Sequence, residues 1–129
     1  MKLYIDDIRQ CPEGWQIART VTEAIRFIHR FKEEITHISI DHDICYEING
    51  VTISSPETFA PVAMYLAIMV KEDIDRRIPN IVVHSANPIG AREIQDILKE
   101  SNVYAEYIPV RGMLKKPLLT DSDRGVYKI

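Results

Sequence analysis

The sequence predicts a three-layer α/β fold, in which a parallel sheet of five strands is covered by helices on both faces. Short apolar runs alternate along the chain with longer segments of helical period, and this alternation is typical of a parallel sheet. Two of the apolar runs end abruptly in acidic residues, as expected of buried strands that stop at a polar edge. With 129 residues, of which 46% are hydrophobic and 27% charged, the chain has the size and composition of one domain.

The strands are predicted from five short apolar runs, which are Leu3–Ile5, Trp15–Arg19, Ile38–Ile40, Ile81–Val83 and Tyr104–Ile108. The fourth run is β-branched throughout, as expected of a strand that is buried on both faces. The last stretch, residues 110–129, has no helical period. We therefore expect a single domain over residues 1–129 whose tail follows a path that the sequence does not define.

Helices are predicted from three segments with helical spacing of apolar residues, which follow Thr20, cover about residues 61–77 and run from Asn87 to Ser101. Thr20 and Glu23 form a capping box at the start of the first helix. Asn87 is the predicted N-cap of the third, because a proline follows it. Pro56 and Pro61 both suit a first turn, so the start of the second helix stays open.

Two segments are predicted to be loops. Residues 8–14 contain Pro12 and Gly14, which oppose a helix directly after the first strand. Residues 44–55 are predicted to form a long loop with a turn at Asn49 and Gly50.

Composition excludes several classes of function. The formal net charge of −3 argues against an extended DNA-binding surface, because nucleic acids are held mainly by clustered Lys and Arg. Cys11 and Cys45 do not form a disulfide framework, and reduced thiols are typical of the cytoplasm. The longest apolar stretch, Phe59–Val70, is too short to span a bilayer. We expect a cytoplasmic protein without a membrane partner.

Side chains that can exchange protons or bind ligands follow three of the predicted strands. They are Asp6, Asp7, Asp41, His42, Asp43, His84, Ser85 and Asn87. Ligands of parallel α/β sheets bind beyond the carboxyl ends of the strands. We therefore expect these residues, which are far apart in the sequence, to form one ligand site at one edge of the sheet.

The acidic residues of this group predict a metal site. Asp6 and Asp7 face Asp41 across the predicted sheet, and three carboxylates would repel one another without a cation. They are expected to bind Mg²⁺ or Mn²⁺, or one of them to have a raised pKa. A bound ion would polarise a phosphoryl oxygen.

Acid–base and phosphate-binding roles are predicted for other members of the group. His42 and His84 suit an acid–base pair, although each has a structural alternative: Asp43 could orient His42, and His84 could bind backbone groups. Strand alternation could also turn His42 away from Asp41. The predicted phosphate-binding groups are those of Arg9, Arg19, Ser85 and Asn87, together with the N-terminus of the third helix. Gly90 is expected to permit a close approach in the first turn of that helix.

The pattern of these residues resembles the phosphoacceptor receiver domains of two-component signalling. The resemblance implies that Asp6 and Asp7 hold a metal, that Asp41 accepts a phosphoryl group and that Ser85 senses it. Three features depart from that pattern, namely the loop at residues 8–14, the delayed Lys116-Pro117 pair and the histidines at positions 42 and 84.

A closer resemblance is to the cyclic-phosphate-processing receiver domain family, and it is carried by residues 5–9, 11–15, 18–20, 39–43 and 84–90. It implies a receiver-like (flavodoxin-like) sheet in the order 2-1-3-4-5, with fewer helices than a standard receiver. It also implies a phosphorylated small molecule, a nucleotide or an RNA end as the ligand, with hydrolysis of a cyclic phosphate as the specific activity. The alternatives are a phosphoacceptor receiver, which needs Lys115 or Lys116 in the pocket, and a nucleotide-binding adaptor without turnover.

Overall fold

A computed structural model of the chain describes residues 1–73 and 77–110. The elements are, in order, β1 (Lys2–Ile5), β2 (Gln16–Ala18), α1 (Val21–Phe31), β3 (His37–Ile40), β4 (Asp43–Ile48), β5 (Val51–Thr58), α2 (Ala60–Glu72), β6 (Asn80–Ser85), α3 (Pro88–Lys99) and β7 (Glu106–Pro109). The predicted tail after residue 110, including Lys115 and Lys116, lies outside the described residues. The same is true of residues 74–76, near the predicted end of the second helix.

The main sheet has five parallel strands in the order β2-β1-β3-β6-β7. Because β6 and β7 are the fourth and fifth predicted strands, the predicted receiver-like order 2-1-3-4-5 is confirmed. The chain passes from β1 to β2 without a helix, as the proline and glycine of residues 8–14 predicted.

The hydrophobic core lies between the sheet and the three helices. Leu3 and Ile5 of β1 are fully buried and cluster with Ile28 of α1, Leu66 of α2 and Ile94 of α3. The helices lie side by side, since α2 contacts both α1 and α3. Within residues 1–73 and 77–110, all three helices cover the same face of the sheet. The helices that the sequence predicts on the other face are not found in these ranges. None of the helices in these ranges is long and apolar enough to cross a membrane.

The loop predicted for residues 44–55 is wrong, because β4 and β5 form an antiparallel hairpin there. The predicted turn at Asn49 and Gly50 joins the two strands, and both residues have positive φ angles, 52° and 79°. Positive φ angles at both central residues give a two-residue turn whose twist matches that of the strands it joins. Apolar side chains pair across it, Tyr46 with Ile53 and Ile48 with Val51.

The predicted N-caps of α1 and α3 are confirmed, and the structure defines the start of α2, which the sequence left open. Thr20 accepts a hydrogen bond from Glu23 N at 3.1 Å, while the Glu23 carboxylate accepts one from Arg19 N, one residue earlier than the predicted capping box. Asn87 caps α3. Pro61 occupies the first turn of α2, whereas Pro56 lies in β5.

Candidate functional site

The pleat of the sheet sorts the predicted site residues onto two faces. Side chains along a strand alternate between faces. Leu3 and Ile5 pack against the helices, so Tyr4 and Asp6 point to the opposite face. The register of β1, β3 and β6 extends this pattern: Asp6, Asp41 and His84 lie on the face opposite the helices, and His42 and Ser85 lie on the helix face.

Asp6 is the centre of the group opposite the helices. It is fully buried, and its Oδ1 accepts hydrogen bonds from Ile8 N at 2.9 Å and Arg9 N at 2.8 Å. Its Oδ2 accepts from Arg9 Nη1 at 3.0 Å and from His84 Nε2 at 2.8 Å. Burial alone would raise the pKa of Asp6, but His84 and Arg9 together hold it below its usual range.

Arg9 bridges the carboxylates of Asp6 and Asp41. Its Nη1 lies 2.9 Å from Asp41 Oδ2, and the other oxygen of Asp41 accepts a hydrogen bond from His42 N at 2.7 Å. Burial and the charge of Asp6 raise the pKa of Asp41 well above its usual value, although Arg9 acts in the opposite direction. One guanidinium therefore serves two buried carboxyls, and the negative charge resides preferentially on Asp6.

His84 is held on both sides of its ring. Its Nδ1 lies 2.7 Å from Ser39 Oγ, while Nε2 donates to Asp6. The ring of Tyr4 stacks on the imidazole with centroids 4.3 Å apart and planes 6° apart. Both nitrogens are thus engaged in this conformation, and the orientation of the ring is fixed.

The group opposite the helices could hold a metal ion. Asp6, Asp41 and His84 each offer one ligand atom, and these atoms lie within 4.8 Å of one another. Carboxylate and imidazole ligands together suit transition ions such as Mn²⁺. Asp7, which was predicted to complete the set, is not among these three residues, and its Oδ2 accepts a hydrogen bond from Cys45 N. Because Arg9 already contacts both carboxylates, an ion would compete with the guanidinium, and the Mg²⁺ or Mn²⁺ site stays a prediction.

Asp7 faces a cavity on the helix side of the sheet edge. The cavity has a volume of about 420 Å³, and its walls are Asp7, Arg19, residues 20–23 at the start of α1, residues 44–46 of β4 and Glu57 of β5. Asp7 is only 4% exposed, and its Oδ2 accepts a hydrogen bond from Cys45 N. Burial raises the pKa of Asp7 to about 7; the hydrogen bond from Cys45 opposes this rise, and the charge of Asp6 adds to it.

Arg19 lines the cavity and also contacts Asp6 and Arg9 of the buried group. Its Nη1 donates to the carbonyl oxygen of Arg9 at 2.5 Å and to that of Asp6 at 3.3 Å. The guanidinium therefore ties β2 to the turn that follows β1, while the residue also forms part of the cavity wall.

His42 joins the start of the hairpin to α3. Its Nδ1 lies 2.7 Å from Asp43 Oδ1 and its Nε2 lies 3.3 Å from Glu93 Oε1. The ring lies against Gly90: a Cβ at that position would be 2.5 Å from His42 Cγ and 2.7 Å from Cε1, which is too close for any real contact. The close approach expected at Gly90 is therefore confirmed, and His42 is the group that approaches.

The N-terminus of α3 is satisfied within the chain. Asn87 N donates to Ser85 Oγ at 3.0 Å, and the Asn87 side chain accepts from Ile89 N and Gly90 N, both at 3.1 Å. Ala91 N donates to Asn87 O at 2.9 Å, and Pro88 has no N–H group. The backbone donors that the sequence offered to an anion are thus occupied in this conformation.

Comparison with known protein families gives a match. A family model described as the cyclic-phosphate processing receiver domain matches residues 1–100. The chain belongs to this family. No curated protein and no solved structure matches it.

In this cyclic-phosphate processing receiver domain, the predicted site residues form three adjoining groups rather than one. Asp6, Arg9, Asp41 and His84 are together; Asp7 and Arg19 line the cavity; and His42, Ser85 and Asn87 surround the start of α3. The sequence analysis missed Tyr4 and Ser39, which hold His84. The sequence did carry a signal for them: Tyr4 lies two positions before Asp6, and Ser39 two positions before Asp41. Residues two positions apart in a strand lie on the same face.

Proposed function

We propose that this receiver domain binds the cyclic phosphate of a nucleotide or RNA end in the cavity between α1 and the hairpin, and opens the ring by hydrolysis. Membership of the cyclic-phosphate processing family supports the ligand class. The observation that carries the proposal is that a buried carboxyl, Asp7, and a guanidinium, Arg19, line the same cavity. The volume of about 420 Å³ is within the range of small-molecule sites.

Asp7 is the proposed general base. Hydrolysis of a cyclic phosphodiester consumes one water: the water oxygen bonds to phosphorus, one P–O ester bond breaks, and the released oxygen ends as a hydroxyl. The Asp7 carboxylate would take the proton that the attacking water loses, and return it through solvent to the released oxygen. With its pKa raised to about 7, Asp7 exists in both protonation states near neutral pH, as an efficient acid–base group requires.

Arg19 and Tyr46 would bind the two ends of the ligand. Arg19 is a cation in the cavity wall, and a guanidinium can donate hydrogen bonds to a phosphate. Tyr46 of β4 also lines the cavity and is 40% exposed, so its ring is available to a nucleobase. A nucleotide therefore suits the cavity better than a bare cyclic phosphate.

The acid–base pair of His42 and His84 stays a prediction. The two side chains lie on opposite faces of the sheet, and the ring nitrogens of each contact protein partners. Neither lines the cavity. The geometry therefore favours Asp7 as the group that exchanges a proton with the ligand, with His84 as a positioning residue that acts through Asp6.

Hydrolysis of 2′,3′-cyclic nucleotides and of RNA ending in a cyclic phosphate is the expected activity, and phosphorus NMR would follow it with and without EDTA. Asp7→Asn is expected to lower kcat by about 100-fold or more, because the amide cannot accept a proton. Asp96→Asn, the same change on the exposed face of α3, is the matched control and should retain full activity.

The alternatives give different results in the same experiment. Ligand signals that broaden without any product would favour the adaptor that binds nucleotides without turnover. Loss of activity in His84→Ala together with full activity in Asp7→Asn would place the reaction on the opposite face. Phosphorylation of Asp41 by acetyl phosphate, with no effect on cyclic phosphates, would support the phosphoacceptor receiver.

Tyr46→Leu is expected to raise the KM for 2′,3′-cyclic nucleotides by about tenfold, because stacking on an aromatic ring contributes about 1–3 kcal/mol per base. A cyclic phosphate of glycerol, which has no base, provides the control and should show the same KM in both proteins. An equal rise for both substrates would indicate a disturbed hairpin rather than lost stacking.

A further inference from the structure

Arg9 occupies the position between the acidic side chains where a cation is needed. Two buried carboxyls that face each other are stable only with a positive charge between them or with a bound proton. Arg9 Nη1 contacts Asp6 Oδ2 at 3.0 Å and Asp41 Oδ2 at 2.9 Å, and the residue is only 7% exposed. We propose that Arg9 is the resident cation of this pair and replaces the divalent metal ion that the acidic residues were expected to bind.

The hydrogen bonds of Asp6 support this proposal. An ionised carboxylate offers about four lone-pair positions. Asp6 accepts from four donors, two backbone N–H groups on Oδ1 and the side chains of Arg9 and His84 on Oδ2. A metal ion could therefore bind Asp6 only by displacing one of these donors.

The attachment of Arg9 makes its displacement costly. Its backbone N–H and its side chain both bind Asp6, and its carbonyl oxygen accepts a hydrogen bond from Arg19. Movement of Arg9 away from Asp6 would thus disturb the turn after β1 and its link to β2. His84 is equally constrained, because Ser39 and Asp6 contact its two nitrogens.

The same geometry predicts what happens when Arg9 is absent. Ligand atoms of Asp6, Asp41 and His84 lie within 4.8 Å of one another, a spacing that a metal ion can fill. Without the guanidinium, the oxygens of both carboxylates that it contacts become available. A protein that lacks Arg9 should therefore gain the metal site that the natural protein does not use.

The test is metal-dependent stability, measured as Tm by circular dichroism in Mg²⁺, Mn²⁺ or EDTA. We expect the Tm of the natural protein to be the same in all three. Arg9→Gln is expected to lower the Tm in EDTA by about 10–20 °C, because an unpaired buried charge remains. Mn²⁺ should then raise the Tm of this variant by about 5 °C or more.

Two further variants separate the site from general charge effects. Arg26→Gln removes the same charge from an exposed position of α1 and should behave like the natural protein. Arg9→Gln combined with Asp41→Asn removes a ligand and should abolish the response to Mn²⁺. A folded Arg9→Gln that ignores Mn²⁺ would overturn the proposal, since no ion could then take the place of the guanidinium.

NMR of the natural protein decides the matter if Arg9→Gln does not fold. Paramagnetic Mn²⁺ broadens the signals of nuclei close to it, so a bound ion would selectively remove the ring signals of His84. We expect these signals to persist at millimolar Mn²⁺. Saturable, selective broadening with Arg9 in place would show that the ion and the guanidinium do not exclude each other. These readouts do not depend on hydrolysis, so failure of the proposed activity would leave the inference intact.

Discussion

Replacement of Asp7 by Asn is expected to stabilise the folded protein by about 4 kcal/mol at pH 9 and to change its stability little at pH 4. The pKa of Asp7 rises from 3.8 to about 7 on folding, and each unit corresponds to about 1.4 kcal/mol. A raised pKa means that the folded state binds the proton more tightly than the unfolded chain. The stabilising contribution is therefore complete below pH 3.8 and is lost as the pH rises through 7.

Urea denaturation between pH 4 and pH 9 measures this effect as the difference in unfolding free energy between Asp7→Asn and the natural protein. Titrating groups that do not interact with Asp7 contribute equally to the two proteins, so they cancel in the difference. Asp96→Asn, on an exposed helix face, should give a difference near zero across the range. A difference for Asp7→Asn that does not change with pH would show that the Asp7 carboxyl titrates as in the unfolded chain.

This expected gain in stability bears on the function of Asp7. Asp6 is stabilised in its ionised form by Arg9 and His84, whereas Asp7 receives a hydrogen bond from Cys45 N at a cavity wall. A buried carboxyl that weakens the fold at neutral pH is typical of groups retained for binding or catalysis. Two neighbouring aspartates thus have different environments although their side chains interact, and the charge of Asp6 and its hydrogen bond with Asp7 both help to raise the pKa of Asp7.

The fold was predictable because its signals are local. The change from strand period to helical period marks each element, and caps such as Thr20 and Asn87 mark helix starts. The hairpin was missed although its turn was recognised. Its apolar residues do alternate, from Ile44 to Ile48 and again from Val51 to Ile53, but two strands outside the main sheet have no place in the expected βα alternation.

The site was only partly predictable, because its decisive contacts are not local. The sequence predicted one site at the carboxyl edge of the sheet, whereas the structure divides these residues into three adjoining groups; it also raised the alternation that turns His42 away from Asp41. It did not reveal that Arg9 would lie between Asp6 and Asp41, since that contact depends on the turn after β1 and on the register of β1 with β3. The cavity depends on the hairpin and was missed with it.

Gly90→Ala is expected to destabilise the protein by about 3 kcal/mol, although alanine favours a helix more than glycine does. The new Cβ would lie 2.5 Å from His42 Cγ, and the ring is held by Asp43 on one nitrogen and Glu93 on the other. Relief of the overlap would therefore break at least one of these contacts. Urea denaturation of the two proteins at pH 7 measures the loss.

A double-mutant cycle with His42→Ala identifies the cause of this loss. Once the ring is removed, Gly90→Ala should cost nothing and should even stabilise α3 by up to about 1 kcal/mol. Equal costs in both backgrounds would mean that the overlap with His42 is not the reason. The double variant also separates the two roles of His42, because we expect it to fold without the ring. Retained hydrolysis would make His42 a structural link between the hairpin and α3, while a stable but inactive protein would support the predicted acid–base role.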